Sequence, residues 1–163
     1  MEQFGFYVIK DEFFEKFNDP YLKGNKDQNR PHYYCFKDEA DGLYWIIPMS
    51  SKVEKYKAVI AHKKEMHKPC DLLYVCKLSN DKENAFLVQD MFPITEKYIL
   101  RPYTFAGNPL KLINETDRQI IGSKAIRILN LIERKVPFNK FQPDVLKIKE
   151  TLLEELAAEL TTV

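Results

Sequence analysis

Cysteine and glycine are scarce in this 163-residue sequence, and long apolar runs are missing. The three cysteines are odd in number and no two form a CxxC pair, so a disulfide framework is not expected. The first residues have neither the basic leader nor the apolar segment of a signal peptide. No stretch approaches the roughly 20 apolar residues of a membrane span. We therefore expect a protein of the reducing cytoplasm that does not enter the membrane.

An excess of one charge is also missing. Lysine and arginine total 25 against 24 acidic residues, which leaves a net charge of +1. Global charge therefore does not indicate a nucleic-acid-binding protein, and any such signal must be local. No Walker motif or GxGxxG pattern occurs. His62 and His67 are not spaced to place two ligands on one helix face, so we expect no metal site and no cofactor.

Short aromatic and β-branched runs predict strands, and turn residues between them predict two β-hairpins. The expected elements are a strand at residues 4–9, a helix at 12–18 capped by Asp11, strands at 32–37 and 43–49, a helix at 52–67, and strands at 72–78 and 85–89. Residues 18–31 form a long polar loop, a length that is usually functional or mobile. Residues 101–115 are expected to be an irregular connection.

Two helices are predicted near the C-terminus, at about residues 116–160, the first beginning with a capping box at Thr116. Their apolar stripes are Ile121, Ala125, Ile128 and Ile132, then Val145, Ile148, Leu152 and Leu156. The order of strand, helix, antiparallel strands and helices predicts an α+β fold in a single domain, residues 1–163. We expect a compact antiparallel β-sheet or barrel at about residues 4–100, with the added helices packed on one side.

The segment from residue 52 to residue 68 is locally basic. It has six lysines against Glu54 and Glu65, an excess of four charges; the lysines are Lys52, Lys55, Lys57, Lys63, Lys64 and Lys68. A basic stripe suits a polyphosphate backbone, because each neutralised phosphate releases counterions. The alternative is an ordinary solvated helix face, and charge alone does not decide between the two.

Ser50, Ser51 and Lys52 lie between a predicted strand and this basic helix. Such a junction presents free N–H groups and the positive end of the helix dipole, which suits a phosphate. The alternative is that Ser50 or Ser51 simply caps the helix, with Glu54 completing a capping box from Ser51. The two interpretations do not exclude each other.

Metal-free cleavage of RNA needs a base for the ribose 2′-OH, cations or hydroxyls for the charged phosphorane, and an acid for the leaving 5′-oxygen. His32 begins the first hairpin strand, and Ser50 to Lys52 follow the second, so the hairpin places them side by side. A metal-free nuclease site is therefore conceivable here. Tyr33 and its aromatic neighbours either stack on bases or alternate between core and surface.

Four short motifs occur in a characteristic order: FYVI at residues 6–9, RPH at 30–32, PMSSK at 48–52 and QDMFPI at 89–94. This pattern resembles the ToxN/AbiQ/CptN/TenpN toxins of type III toxin–antitoxin systems, and it is most similar to the CptN branch. The resemblance extends over about residues 6–135. Its most specific parts are PMSSK and DMFPI.

The resemblance implies a bacterial endoribonuclease toxin that cuts cellular mRNA, acts in phage defence and is held inactive by a small RNA antitoxin, usually a pseudoknot from tandem repeats. It implies a fold like the compact barrel of the Kid/MazF toxins with added helices. It also implies cleavage without a metal, leaving a 2′,3′-cyclic phosphate. Protein and RNA units are expected to alternate in a closed cyclic assembly.

Carried over by position, Ser50 and Ser51 match the Thr/Ser–Ser pair of the family, and Ser51 would be the phosphate-activating hydroxyl. Lys52 is the first candidate for the family's lysine and Lys55 the second, because the proline that separates Ser from Lys in ToxN-like members is missing here. His32 stands at the place of a loop lysine, so it is a candidate base or acid near neutral pH. The remaining predicted RNA contacts are Arg30, Tyr33, Tyr56, Lys57, Lys63 and Lys64. A non-catalytic RNA-binding module and a protein-interaction domain are the alternative functions.

Overall fold

A computed structural model describes residues 1–162 of the chain as an α+β fold. Its longer elements are β1 (Phe6–Ile9), α1 (Asp11–Lys16), β2 (His32–Lys37), β3 (Tyr44–Ser50), α2 (Val53–Glu65), β4 (Tyr74–Lys77), β5 (Glu83–Phe86), β6 (Phe92–Ile94), β7 (Ile99–Pro102), β8 (Thr104–Phe105), β9 (Asn108–Pro109), α3 (Glu115–Glu133) and α4 (Val145–Thr161). The predicted α+β class, both hairpins and the basic helix are confirmed.

The main sheet is antiparallel, with the strand order β4-β5-β3-β2-β1-β7, and β6 also pairs with β3. Within residues 1–162 the strands do not close into a barrel. The prediction allowed a sheet or a barrel, and the structure has the open sheet. Strand β3 lies at its centre because β6 pairs with its first half and β5 with Met49 and Ser50 at its end. Pro48 lies between these two pairings, where a strand can accommodate a residue without a ladder N–H.

Helices α3 and α4 cover the sheet, with α3 against β2 and α4 against β6. The predicted stripe of α3, from Ile121 to Ile132, is buried, as are Val145, Ile148 and Leu152 of α4. Helix α3 begins two residues earlier than predicted, since the side chain of Asn114 accepts the capping hydrogen bond from Asp117 N at 3.0 Å. Thr116 therefore lies in the first turn, and the predicted cap there is wrong.

Asp11 is the first residue of α1 rather than its predicted cap. Its carboxylate accepts hydrogen bonds from Asn25 Nδ2 at 2.9 Å and from Gln28 Nε2 at 3.1 Å. These bonds hold its pKa below the ordinary aspartate value. The long polar loop is thus fastened to α1.

Residues 101–115 are not the irregular connection that was predicted, because β8 and β9 form a small hairpin there. None of the helices within residues 1–162 combines the length and apolar character needed to cross a membrane. The same residues contain no group of three or more His, Cys, Asp or Glu side chains placed to hold a metal ion.

Candidate functional site

A groove of about 560 Å³ lies at the C-terminal end of β3. Three segments surround Met49, Ser50 and Ser51 there: residues 26–31 of the polar loop, the turn between β4 and β5, and the β8–β9 hairpin with its flanks. Its volume falls within the range of about 300–1,000 Å³ that ligand pockets usually have. The groove therefore places the predicted serine pair at a concave surface, where Ser51 is the accessible member.

The two serines have different surroundings. Ser50 is buried, and its Oγ accepts a hydrogen bond from Lys52 N at 3.2 Å. Ser51 is exposed, and its hydroxyl has no hydrogen-bond partner within residues 1–162. The predicted capping box is not formed, because Lys52 is the N-cap of α2 and no side chain caps it. The hydroxyl of Ser51 is therefore free to meet a ligand.

Cations converge on this end of the groove. Lys26 and Arg30 line it, and Lys52 directly follows Ser51. The charge of Arg30 lowers the pKa of Lys26, and burial and the charges of Lys52 and Lys23 lower it further. Within residues 1–162, Lys23, Lys26 and Lys52 make no ion pair with a carboxylate. Buried Asp90 interacts with Lys23 and Arg30, and the remaining positive charge at Lys26 and Lys52 is suited to an anion such as a phosphate.

The loop that presents Lys26 has an unusual backbone. Lys26, Asp27 and Gln28 have φ angles of 47°, 54° and 64°, in the left-handed region. Each such residue costs about 1–2 kcal/mol relative to the right-handed form. The turn is held by Asn25, whose carbonyl oxygen accepts hydrogen bonds from the N–H groups of residues 29 and 30, and whose Nδ2 donates to Ile9 O at 2.6 Å. The surrounding contacts thus hold Lys26 in place despite the strain.

Arg30 is 8% exposed, so most of its side chain is not available to RNA. Its Nε donates to Gly24 O at 2.8 Å and its Nη1 to Met49 O at 2.6 Å. Burial lowers its pKa, while Tyr56 and Asp90 oppose that shift. Arg30 therefore ties the loop to β3 and adds positive charge beneath the serines, whereas its direct contact with RNA stays a prediction that its burial does not favour.

His32 pairs with Pro48 across the hairpin as expected, but its side chain points into the core. Its ring is fully buried, lies against Phe14 and Phe92, and has Nδ1 3.1 Å from Arg30 O. Burial and then the charge of Arg30 lower its pKa to about 3. The prediction of an acid or base near neutral pH does not fit this position, because a neutral, enclosed imidazole neither reaches the groove nor titrates there.

Two tyrosines that were predicted to contact RNA are also buried. Tyr33 is fully buried between the rings of Phe6 and Phe86, so it cannot stack on a base. Tyr56 is 8% exposed and packs in a small core with Leu73. Both were predicted from residue type alone, whereas the sheet and α2 direct their rings inward.

The lysines of α2 are not equivalent. Lys57 forms ion pairs with Glu83 at 2.9 Å and with Glu54 at 3.9 Å, which offset its charge. Lys55 is exposed and lies over the Tyr56 ring. Lys63 is half-buried, and Lys64 lines a second cleft at the far end of α2. Among the lysines of the basic segment 52–68, Lys52 is the nearest in sequence to Ser51. It is also the one in that segment whose charge lowers the pKa of Lys26.

Sequence reasoning missed Lys26, Tyr103, Phe105 and Asn84, all of which line the groove. The length of the loop indicated a functional segment, but nothing in its residues reveals a left-handed turn. The Ala106-Gly107 pair at the tip of the β8–β9 hairpin is a weak turn signal, and the prolines on either side of it obscured the strands.

No protein-family model matches the chain, and no curated protein matches it. Solved structures do match. One comes from work on toxin inhibition by a non-coding RNA pseudoknot in bacterial type III toxin–antitoxin systems; the TM-score is 0.61 at 14% identity, over 94% of this chain and 98% of that one. Another comes from work on a processed non-coding RNA that regulates a bacterial antiviral system, with a TM-score of 0.57 at 16% identity, over 93% and 95%.

A third match is AbiQ, a lactococcal anti-phage endoribonuclease of the type III toxin–antitoxin class. Its TM-score is 0.55 at 15% identity, and the match covers 99% of this chain and 100% of that one. At these identities the likeness establishes a shared fold over nearly the whole length of both chains.

Proposed function

We propose that this chain is an endoribonuclease toxin of a bacterial type III toxin–antitoxin system, and that the groove at the end of β3 is its RNA-cleavage site. The observation that carries the proposal is the free hydroxyl of Ser51 beside the cluster of Lys26, Arg30 and Lys52, none of which is balanced by an ion-paired carboxylate at the site. The shared fold with such toxins supports it. The motifs PMSSK and DMFPI support a place in the CptN branch.

The reaction we propose is an intramolecular transfer at phosphorus. The ribose 2′-oxygen attacks the adjacent phosphate, the bond from phosphorus to the 5′-oxygen breaks, and the products are a 2′,3′-cyclic phosphate and a 5′-hydroxyl end. A base takes the proton of the 2′-OH, and an acid gives a proton to the leaving oxygen. Neither water nor a metal ion enters the step.

The residues divide into donors and a proton carrier. Ser51 donates a hydrogen bond to a phosphate oxygen, and Lys52 stabilises the charge that develops on the phosphorane. Ser50 holds the Lys52 backbone through its 3.2 Å hydrogen bond. Lys26 lines the groove and carries an ammonium group, so we assign it the donation of a proton to the leaving 5′-oxygen, a role that the enclosed His32 cannot perform.

The same groove would bind the antitoxin. A small pseudoknot RNA that occupies it would block access of cellular mRNA. The exposed lysines Lys55 and Lys64 would extend the contact along α2. We further propose that protein and RNA alternate in a closed cyclic assembly in the cytoplasm, as the resemblance implies.

The decisive experiment is cleavage of a defined single-stranded RNA in the presence of EDTA. We expect cleavage by the wild-type protein, products with 2′,3′-cyclic phosphate ends, and loss of activity in Ser51→Ala. Ser123→Ala on the exposed face of α3 is the matched control and should retain full activity. Salt-sensitive RNA binding by a folded protein that leaves the RNA intact would instead indicate a non-catalytic binding module. The absence of any RNA affinity would indicate a protein-interaction domain.

A further inference from the structure

The β8–β9 hairpin gains little from the core. Its residues 104–109 are all exposed, and within the described part of the chain β8 and β9 pair only with each other. Ala106 and Gly107 at its tip have positive φ angles of 50° and 81°, a conformation that a non-glycine residue adopts at a cost. Burial of apolar surface therefore does not explain why the chain forms this hairpin.

The base of the hairpin is nevertheless fixed. The N–H of Tyr103 donates to Phe6 O at 2.8 Å, and the N–H of Leu110 donates to Tyr103 O at 2.9 Å. On the other side, Lys111 exchanges hydrogen bonds with Ser79, at 2.9 Å each. These bonds join the hairpin both to β1 and to the chain after β4, so its tip has a defined place at the groove.

An exposed aromatic ring is the main feature of that tip. Phe105 is 41% exposed. It lines the groove that contains Ser51, together with half-buried Tyr103. The ammonium group of Lys82 lies over one face of the Phe105 ring, 4.7 Å from its centre, so a base that stacks on Phe105 either uses the opposite face or displaces Lys82. An aromatic ring beside a cation is the arrangement by which proteins stack unpaired nucleobases next to their phosphates.

Amide groups complete this part of the groove. Asn80 uses its Oδ1 to accept from Lys82 N at 3.1 Å, which leaves its NH₂ group for another partner. Asn84 is half-buried, and its side chain has no hydrogen-bond partner within residues 1–162. A side-chain amide offers one acceptor and two donors, so it can pair with the edge of a base.

We propose that Phe105 and Tyr103 form a subsite for one unpaired nucleobase next to the phosphate held at Ser51, with Asn84 binding the edge of that base. The inference rests on the proposed function. It extends that function by restricting the substrate to single-stranded RNA. A base within a duplex is stacked on its neighbours and cannot lie on Phe105. The phosphate is held at the end of the groove near Lys26, and the base is held at the hairpin.

The test compares a normal RNA oligonucleotide with versions that have an abasic nucleotide on the 5′ or 3′ side of the cleaved bond. With normal RNA, Phe105→Ala should lower kcat/KM about tenfold, the size expected for loss of one stacked base. With the abasic version that lacks the stacked base, the kcat/KM of the wild type should fall by a similar factor. With that RNA, Phe105→Ala should cause no further fall in kcat/KM. Phe105→Tyr keeps the ring and should retain activity. Phe141→Ala, an exposed phenylalanine outside the groove, is the matched control.

If Phe105→Ala lowered kcat/KM equally with normal RNA and with both abasic versions, the subsite would be overturned, because the effect of the ring would not depend on a nucleobase. Unchanged cleavage after hybridisation to a complementary strand would overturn it as well. The same comparison made on affinity separates the two proposals when the abasic nucleotide is placed at each position in turn of an oligonucleotide made uncleavable by 2′-deoxy substitution. If wild type binds but cuts no RNA, the proposed function fails, whereas base-dependent affinity through Phe105 still supports the subsite.

Discussion

Nη1 of Arg30 donates a hydrogen bond of 2.6 Å to the carbonyl oxygen of Met49, the residue before the serine pair. The Nε of the same side chain donates to Gly24 O at 2.8 Å, so one guanidinium joins the polar loop to the end of β3. Hydrogen bonds from a charged donor in a buried place are stronger than those between neutral groups. The loop is therefore held with Lys26 on the groove that contains Ser51 before any ligand arrives, which is the preorganisation that electrostatic catalysis requires.

Replacement of Lys26 should separate stability from activity. Lys26→Gln removes a charge that is repelled by Arg30 and Lys52, so the melting temperature should stay equal or rise while RNA cleavage is lost. Lys26→Arg keeps the charge, but a guanidinium group holds its proton far more tightly than an ammonium group does. It should retain RNA affinity and still lose about 100-fold or more in cleavage rate. Full cleavage by Lys26→Arg would show that another group transfers the proton.

Alanine substitutions at Lys52, Lys55 and Lys57 should weaken RNA binding in that order. Lys52 adjoins Ser51, and Lys55 makes no ion pair within residues 1–162, whereas the charge of Lys57 is already offset by Glu83. We expect about a tenfold loss of affinity for Lys52→Ala and almost none for Lys57→Ala. The slope of log affinity against log salt, measured by fluorescence anisotropy, should fall by about one for each phosphate contact removed. An effect of Lys57→Ala as large as that of Lys52→Ala would contradict this ranking.

The fully buried His32 should affect folding more than chemistry. His32→Gln places a longer polar group among Phe14 and Phe92, so the free energy of unfolding in urea should fall by about 1–3 kcal/mol. The pH dependence of cleavage should keep its shape, because an imidazole with a pKa of about 3 does not titrate near neutral pH. If the wild type showed a change in cleavage rate near pH 6.5 that the variant lacked, His32 would have to reach the reacting atoms after all.

Asp90 should make the protein less stable as the pH rises. Burial raises its pKa to about 6, although Lys23, Gln89 and Arg30 oppose the shift. Because the folded pKa lies above the unfolded value of 3.8, the folded state binds the proton more tightly, and this stabilisation is lost as the pH rises through about 6. The loss should be about 3 kcal/mol at most.

Urea denaturation at about pH 4 and about pH 7.5 measures this effect. Asp90→Asn should remove that part of the pH dependence. Asp81→Asn is the control, since its carboxylate is exposed and only approaches Lys77 at 3.7 Å. Identical pH dependence in wild type and Asp90→Asn would mean that the Asp90 carboxyl titrates normally.

Local pattern was sufficient for the elements but not for their exact ends. The hairpin of β2 and β3 follows from two apolar runs around a turn, and the stripe from Ile121 to Ile132 follows from helical periodicity. Both signals depend on neighbours in the chain. The start of α3 was missed because Asn114 and Thr116 are both good caps, and only the packed helix shows which one is used.

The side-chain directions could not be obtained in the same way. His32 was correctly placed next to Pro48, yet a strand residue faces one side of the sheet or the other, and the core behind β2 encloses the imidazole. Tyr33 and Tyr56 were assigned to RNA by type, and packing directs both inward. Lys57 was assigned by charge, and only the fold brings Glu83 to it.

By itself, the sequence determined that a strand ends at a serine pair and that a lysine-rich helix begins there, since both depend on residues close together in the chain. The tertiary structure decided which groups surround that pair. Lys26 comes from a loop whose left-handed turn is held by Asn25, and Phe105 comes from a hairpin more than fifty residues beyond Ser51. Groups so distant along the chain meet only when the sheet is assembled, because long-range packing rather than local preference brings them together.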